Sequence, residues 1–379
     1  MIRYYCFRAM LISIPILFFL TSCAPSERHP LSRIDTPDHH CYAGIQLMNQ
    51  GKYDDAAREF QLAIMLDEEH SQAHAGAGLV KAFRGDFAGA FEFMAEAGRL
   101  ARQRQDKAFY HVGMMRLYTM RKGIPDWLDR TRREFEQALI HEPASAAAHY
   151  FMGLACKAGL QFQDAASMFA RVLDLNEEYI EETYREWKLV QKIVKAQPET
   201  ETAKKIALMD SITRADMAAL MIRELRIDEL YDCWRSPAVG EEKLQNAKGQ
   251  AVKDIAGHAF EEEIQKVLGL EIEGLEPYSD GTFRPDDLVS RANLAVMLQD
   301  VLAVAERDDT LSTKYREEVS PFPDVKNDNP SFNAVMVVTA RGIMKAHDLT
   351  SGEFAPFASV PGPDALLIMR NMKEELRMY

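Results

Sequence analysis

Two stretches of the chain read almost as one: Gly44–Ala63, GIQLMNQGKYDDAAREFQLA, and Gly78–Ala97, GLVKAFRGDFAGAFEFMAEA. Gly44 and Gly78 are 34 residues apart, as are Gly51 and Gly85, Tyr53 and Phe87, Ala56 and Ala90, Phe60 and Met94, and Ala63 and Ala97. The set returns as Gly153, Phe162, Ala165, Phe169 and Val172, and a further copy between holds Gly113, Thr131, Phe135, Ala138 and Pro143. That third copy is six residues longer, and the excess is expected near Lys122–Trp127, where Gly and Pro mark a turn. Each unit reads as two amphipathic helices, with small residues where they cross and Phe60, Phe135 and Phe169 filling the space between units. A fixed period of this length means stacked units, each contacting its neighbours, so an all-α solenoid is expected.

Over residues 37–180 this pattern resembles the tetratricopeptide (TPR) repeat, although the expected Trp is missing and only Pro143 holds the closing Pro. The resemblance implies a concave face built from the first helix of each repeat. On it would stand Ile45, Met48 and Asn49, then Leu79 and Phe83, then Lys107, Tyr110, Met114 and Tyr118, then Tyr150, Leu154 and Lys157. Such an apolar, aromatic surface suits a peptide or an envelope protein as partner, with Tyr110, Tyr118 and Tyr150 as anchors. The alternative is that these aromatics pack on the next segment of the same chain. Glu177–Ala196 continues in a helical period until Pro198 and is expected to cap the array, closing a solenoid region over 37–199.

A different pattern follows. Ile212-Thr213-Arg214-Ala215-Asp216 opens a helix, with Thr213 as N-cap and Asp216 completing a capping box, and it recurs as Val289-Ser290-Arg291-Ala292-Asn293. Asp254-Ile255 leads a helix ahead of the second copy, and Gly281-Thr282-Phe283-Arg284-Pro285 forms its loop. A third frame holds Phe322-Pro323-Asp324-Val325, Gly352-Glu353-Phe354-Ala355-Pro356 and Val360-Pro361-Gly362. This order of motifs resembles three tandem S-layer homology (SLH) repeats, about 200–235, 250–306 and 321–375, within a module spanning 200–379. The resemblance implies attachment to cell-wall polysaccharide or peptidoglycan, with Thr213, Arg214, Ser290 and Arg291 at the glycan. A guanidinium fork matches a carboxylate, which makes the arginine role physically reasonable. The first copy departs from the pattern, since Ile206 and Leu208 stand at the Phe and Pro positions of the loop. The third departs too, since Gly362 replaces the Arg.

The N-terminus reads as an export signal over residues 1–22. Arg3 and Arg8 precede an apolar run, Ala9–Leu20, too short to span a bilayer comfortably. Leu20-Thr21-Ser22-Cys23 resembles a bacterial lipobox, which implies lipidation of Cys23, a membrane anchor through its acyl chains, and a tether over 23–36. An outer-membrane, periplasm-facing location follows if the source has two membranes. Loss of Arg3 and Arg8 takes the formal charge from −13 to −15. That acidic balance argues against a nucleic-acid partner, and a mean hydropathy of −0.27 argues against a polytopic membrane protein. Cys41, Cys156 and Cys233 form no disulfide framework. His39-His40-Cys41 is no metal cluster, because adjacent helical residues point apart. Ser236–Gly249 and Arg307–Ser320 read as linkers between the SLH-like copies. There is no catalytic motif, and no cofactor or metal is called for. The expected function is therefore a non-enzymatic envelope scaffold. The competing expectation is a pilotin-like assembly lipoprotein that uses the lipid and the groove but binds no glycan.

Overall fold

A computed structural model describes residues 30–234 and 252–377. The signal, Cys23 and the Ser236–Gly249 linker lie outside those residues. The fold is all-α: sixteen α-helices, isolated β-bridges and no strand among the described residues. Two compact units divide between Leu117 and Tyr118.

The first unit holds α1 (Pro37–Asn49), α2 (Tyr53–Leu66), α3 (Ser71–Phe83), α4 (Phe87–Leu100) and most of α5 (Arg104–Met120). Starts are capped locally: the Thr36 hydroxyl accepts from the His39 N–H at 3.2 Å, and the Asp86 carboxylate from the Gly89 N–H at 2.9 Å. Helices α1 and α2, and α3 and α4, pack as antiparallel pairs, and α2 packs on α3. The small residues of the period do what crossing helices require. Phe60 is fully buried, and a Cβ on Gly44 or Gly76 would lie 2.8 or 2.2 Å from its ring. A side chain at either glycine would displace an aromatic whose burial stabilises the fold by roughly 1.5–3 kcal/mol.

The second unit holds α6 (Trp127–His141), α7 (Ala146–Ala158), α8 (Phe162–Leu175) and α9 (Ile180–Ala196). Phe169 repeats the role of Phe60, with Gly153 beneath it. The longer copy spreads its extra residues over a longer α5 and a longer 121–126 connection, rather than over the turn alone. Helix α9 continues the stack on α8.

The chain then runs through α10 (Glu201–Ile206), α11 (Arg214–Ala219, prolonged by a π-helical turn Leu220–Glu224) and α12 (Ile227–Trp234). After the undescribed stretch come α13 (Glu261–Leu270), α14 (Arg291–Glu306), α15 (Phe332–Ala340) and α16 (Gly362–Glu375). Three frames of one kind are present, each a first helix, a loop and a second helix: α10–α11, α13–α14 and α15–α16. The Thr213/Asp216 capping box forms as the sequence implies, with Thr213 N–H on the Asp216 carboxylate at 2.9 Å and Asp216 N–H on the Thr213 hydroxyl at 3.2 Å. Ser290 caps α14 by accepting from the Asn293 N–H at 3.2 Å.

Candidate functional site

The three second helices of the C-terminal frames start around one point. The Ile212 N–H donates to the Val360 carbonyl at 2.9 Å, Val360 N–H to Val289 at 3.1 Å, and Val289 N–H to Ile212 at 3.0 Å. This closed three-membered ring of backbone hydrogen bonds gives the frames an approximate threefold arrangement. All three side chains are buried. The ring residue is the apolar one just before each cap, Thr213, Ser290 or Pro361. That shared position is legible in the sequence, but the ring is not.

Around the ring, each second helix meets the loop of the next frame. In the second frame that loop is clasped by Asp254, whose carboxylate accepts from the Phe283 N–H at 2.8 Å and the Arg284 N–H at 2.7 Å. Burial opposes the charge on Asp254, yet these backbone donors win and hold its carboxyl below the usual range. The third frame repeats the clasp: Asp324 accepts from Phe354 at 2.9 Å and Ala355 at 2.6 Å. Gly281 and Gly352 supply the left-handed turn, φ 77° and 74°, that carries each buried Phe inward.

The sequence expectation set Arg214 and Arg291 against an acidic glycan. The structure turns both guanidinium groups inward, with Arg214 and Arg291 only 4% and 6% exposed. Arg214 donates to the carbonyls of Phe283 at 2.9 Å, Gly274 at 2.7 Å and Glu276 at 2.9 Å. It also lies 4.6 Å over the Phe283 ring. Arg291 does the same one frame on, donating to Phe354 at 2.7 Å and Lys345 at 2.6 Å, over the Phe354 ring at 4.6 Å. Burial pulls both below the usual arginine value. Their donors are spent on loop carbonyls, so they brace the junctions. Thr213 and Ser290 are spent likewise, on their own helix starts.

The third junction is built differently. There Gly362 faces the first frame, and a Cβ at Gly362 would sit 1.8 Å from the Ile206 carbonyl oxygen. Ile206 is the counterpart of Phe283 and Phe354, six residues before its ring residue. Its carbonyl thus occupies the space that an arginine side chain fills elsewhere. Pro363 matches Ala215 and Ala292, whose N–H groups donate to Pro285 and Pro356; a proline has no such donor, and Leu208 stands where the accepting proline would be. The two departures seen in sequence, the missing arginine and the missing Phe-Pro loop, are the two sides of one junction.

The expected peptide groove is placed as follows. In the first unit Met48, Leu79 and Met114 are buried core residues. They correct the sequence assignment, because a helix in a stack has more than one buried face and the period does not say which residues line the groove. Ile45 and Tyr110 are half-buried and Asn49 is exposed. Phe83 remains partly exposed, stacked on Tyr53 at 4.6 Å, with the Arg116 guanidinium 5.9 Å over its ring. In the second unit Tyr118 lies under the Arg130 guanidinium at 6.0 Å. Tyr150 stacks on Tyr179 at 4.8 Å, and Lys157 pairs with Glu186. The last groove positions therefore meet the chain's own α9 region. Cys41 and Cys156 are buried, which pushes their thiols up to about 12 and about 11. No group of ligating side chains able to hold a metal occurs among the described residues.

Residues 253–295 match the S-layer homology domain family. The matched segment carries the Asp254 clasp, the Phe283 loop and Arg291. No curated protein matches the chain. The domain associates the chain with the cell envelope, and together with the helical-repeat architecture it points to a structural role. No helix among the described residues is long and apolar enough to cross a membrane.

Proposed function

We propose that this chain is a lipid-anchored scaffold of the cell envelope. Cys23 carries the lipid, the SLH-like ring holds cell-wall glycan, and the TPR-like helices present a surface to an envelope protein. The observation that carries the reading is the second frame, where the family match covers the Asp254-clasped Phe283 loop, which Arg214 of the first frame braces. In this reading Arg214 and Arg291 serve glycan binding by holding the loops in shape, and Thr213 and Ser290 by fixing the helix starts that carry them. Phe83, Asn49, Ile45 and Tyr110 are the groove positions offered to a protein partner in the first unit, and Tyr118 in the second.

The test is co-sedimentation of the purified, unlipidated chain with isolated cell-wall sacculi. Pelleting above background is expected, reduced by Arg214→Ala and Arg291→Ala together. Absence of pelleting by the parent chain overturns the glycan part. For the protein surface, Asn49→Ala, at an exposed groove position, should weaken capture of an envelope partner without lowering the melting temperature.

A further inference from the structure

The frames are linked in a cycle. The second helix of each packs on the first helix of the next: α11 on α13, and α14 on α15. The cycle closes through α16, whose next first helix is α10. Helix α10 has only six residues, against ten in α13 and nine in α15. That is about 9 Å of helix, too little to cover a four-turn partner. Helix α16 touches α10 at its margin and packs along α9 instead, the last helix of the TPR-like stack.

Polar links tell the same story. From the second helix of the first frame, Arg223 donates to Glu263 near the start of α13 at 2.6 Å. In the second frame, Gln299 accepts from Asn333 near the start of α15 at 2.6 Å. In the third frame, Arg370 stands where Gln299 does, counted from the ring residue, and donates to Gln197 at the corner between α9 and α10 at 2.5 Å. Around that link, Lys192 of α9 pairs with Asp364 at 2.6 Å, and Lys373 pairs with Glu199 at 2.9 Å and Glu224 at 3.2 Å. At the counterparts of Asp364 and Lys373 the second frame has Asn293 and Leu302, which make no ion pair. In the first frame the counterparts are Asp216, held in its own capping box, and Leu225, so the ion pairs at these two positions belong to the frame that meets α9.

We infer that α9 is a shared element: it ends the solenoid and also supplies the missing first-helix surface of the SLH-like ring. The ring is closed by the α9–α10 corner, and the third frame is the coupling that fixes the ring to helices α7–α9. The SLH-like module therefore does not begin at residue 200 as an independent body. This goes beyond the proposed function and does not depend on glycan or partner binding.

The experiment uses the full chain with a specific protease site inserted after Pro198. Before cutting, the insert should leave the melting temperature of the parent in place, which shows that it is tolerated. After cutting, the two parts should co-elute on gel filtration, or the C-terminal part should lose its helical signal once separated. Two parts that elute apart, both still helical, overturn the inference. A second measurement follows the cutting rate. Lys192→Glu should raise it severalfold by opposing Asp364 with a like charge, and Lys192→Glu with Asp364→Lys should return it toward the parent. Equal rates in all three chains overturn the inference as well.

Discussion

At the residue scale, Gly362 and the two arginines show how one position serves opposite ends. Arg291→Ala would remove two charge-assisted hydrogen bonds, to the carbonyls of Phe354 and Lys345, and leave the buried Phe354 carbonyl without a donor. A buried carbonyl left unsatisfied costs about 1–3 kcal/mol, so a loss of about that size is expected in urea unfolding of the full chain. Gly362→Ala works by the reverse mechanism. Its methyl would meet the Ile206 carbonyl at 1.8 Å, so the α10 end must move. Overpacking of this kind costs about 1–3 kcal/mol or more. Restoring the family arginine, Gly362→Arg, should therefore destabilise further, and a gain in melting temperature would contradict the geometry. The sequence showed both Gly362 and Ile206 as departures from a motif. It did not show that they touch, because the contact is between distant parts of the chain.

At the element scale, α1 is tied down by a histidine. His40 Nδ1 lies 2.6 Å from the Glu59 carboxylate of α2, and Nε2 lies 2.8 Å from Asp35 in the segment before α1. Neighbouring His39 faces it edge-on at 5.7 Å. Burial opposes protonation of His40, but the hydrogen bonds and charges of Glu59 and Asp35 outweigh it and raise its pKa. A raised folded-state pKa contributes stability that is complete below the unfolded value of about 6.5 and is lost as pH rises through the folded value. Hydrogen exchange of the α1 N-terminus should therefore quicken on going from pH 6 to pH 8.5, after correction for intrinsic rates. His40→Gln should flatten that dependence. The periodic glycines and alanines made these helices readable in advance, because close crossings demand small residues at fixed spacing. The groove was less readable: Met48 and Leu79 obey the same period as Ile45 and Phe83 but point into the core.

At the scale of the whole molecule, the repeat motifs predict a boundary near residue 200, where one repeat type gives way to another. Packing puts none there. Helix α9 rests on α8 on one side and on α16 on another, and the second compact unit runs from Tyr118 through both repeat types. Sequence reveals repeats because each unit must satisfy the same local rules. It does not reveal a helix claimed by two neighbouring arrays, since nothing local marks α9 as different from a cap. Cooperativity follows from that sharing, because losing either neighbour removes part of the cover over α9, whose Val190 and Ile193 are fully buried. Trp187 lies on α9 and reports on it once Trp127→Phe and Trp234→Phe remove the other tryptophans. In that background, Arg291→Ala, placed within the ring and away from α9, should lower the Trp187 fluorescence midpoint in urea as much as the midpoint of any ring probe. If α9 belonged to the solenoid alone, the ring would lose stability while the Trp187 transition stayed where it was.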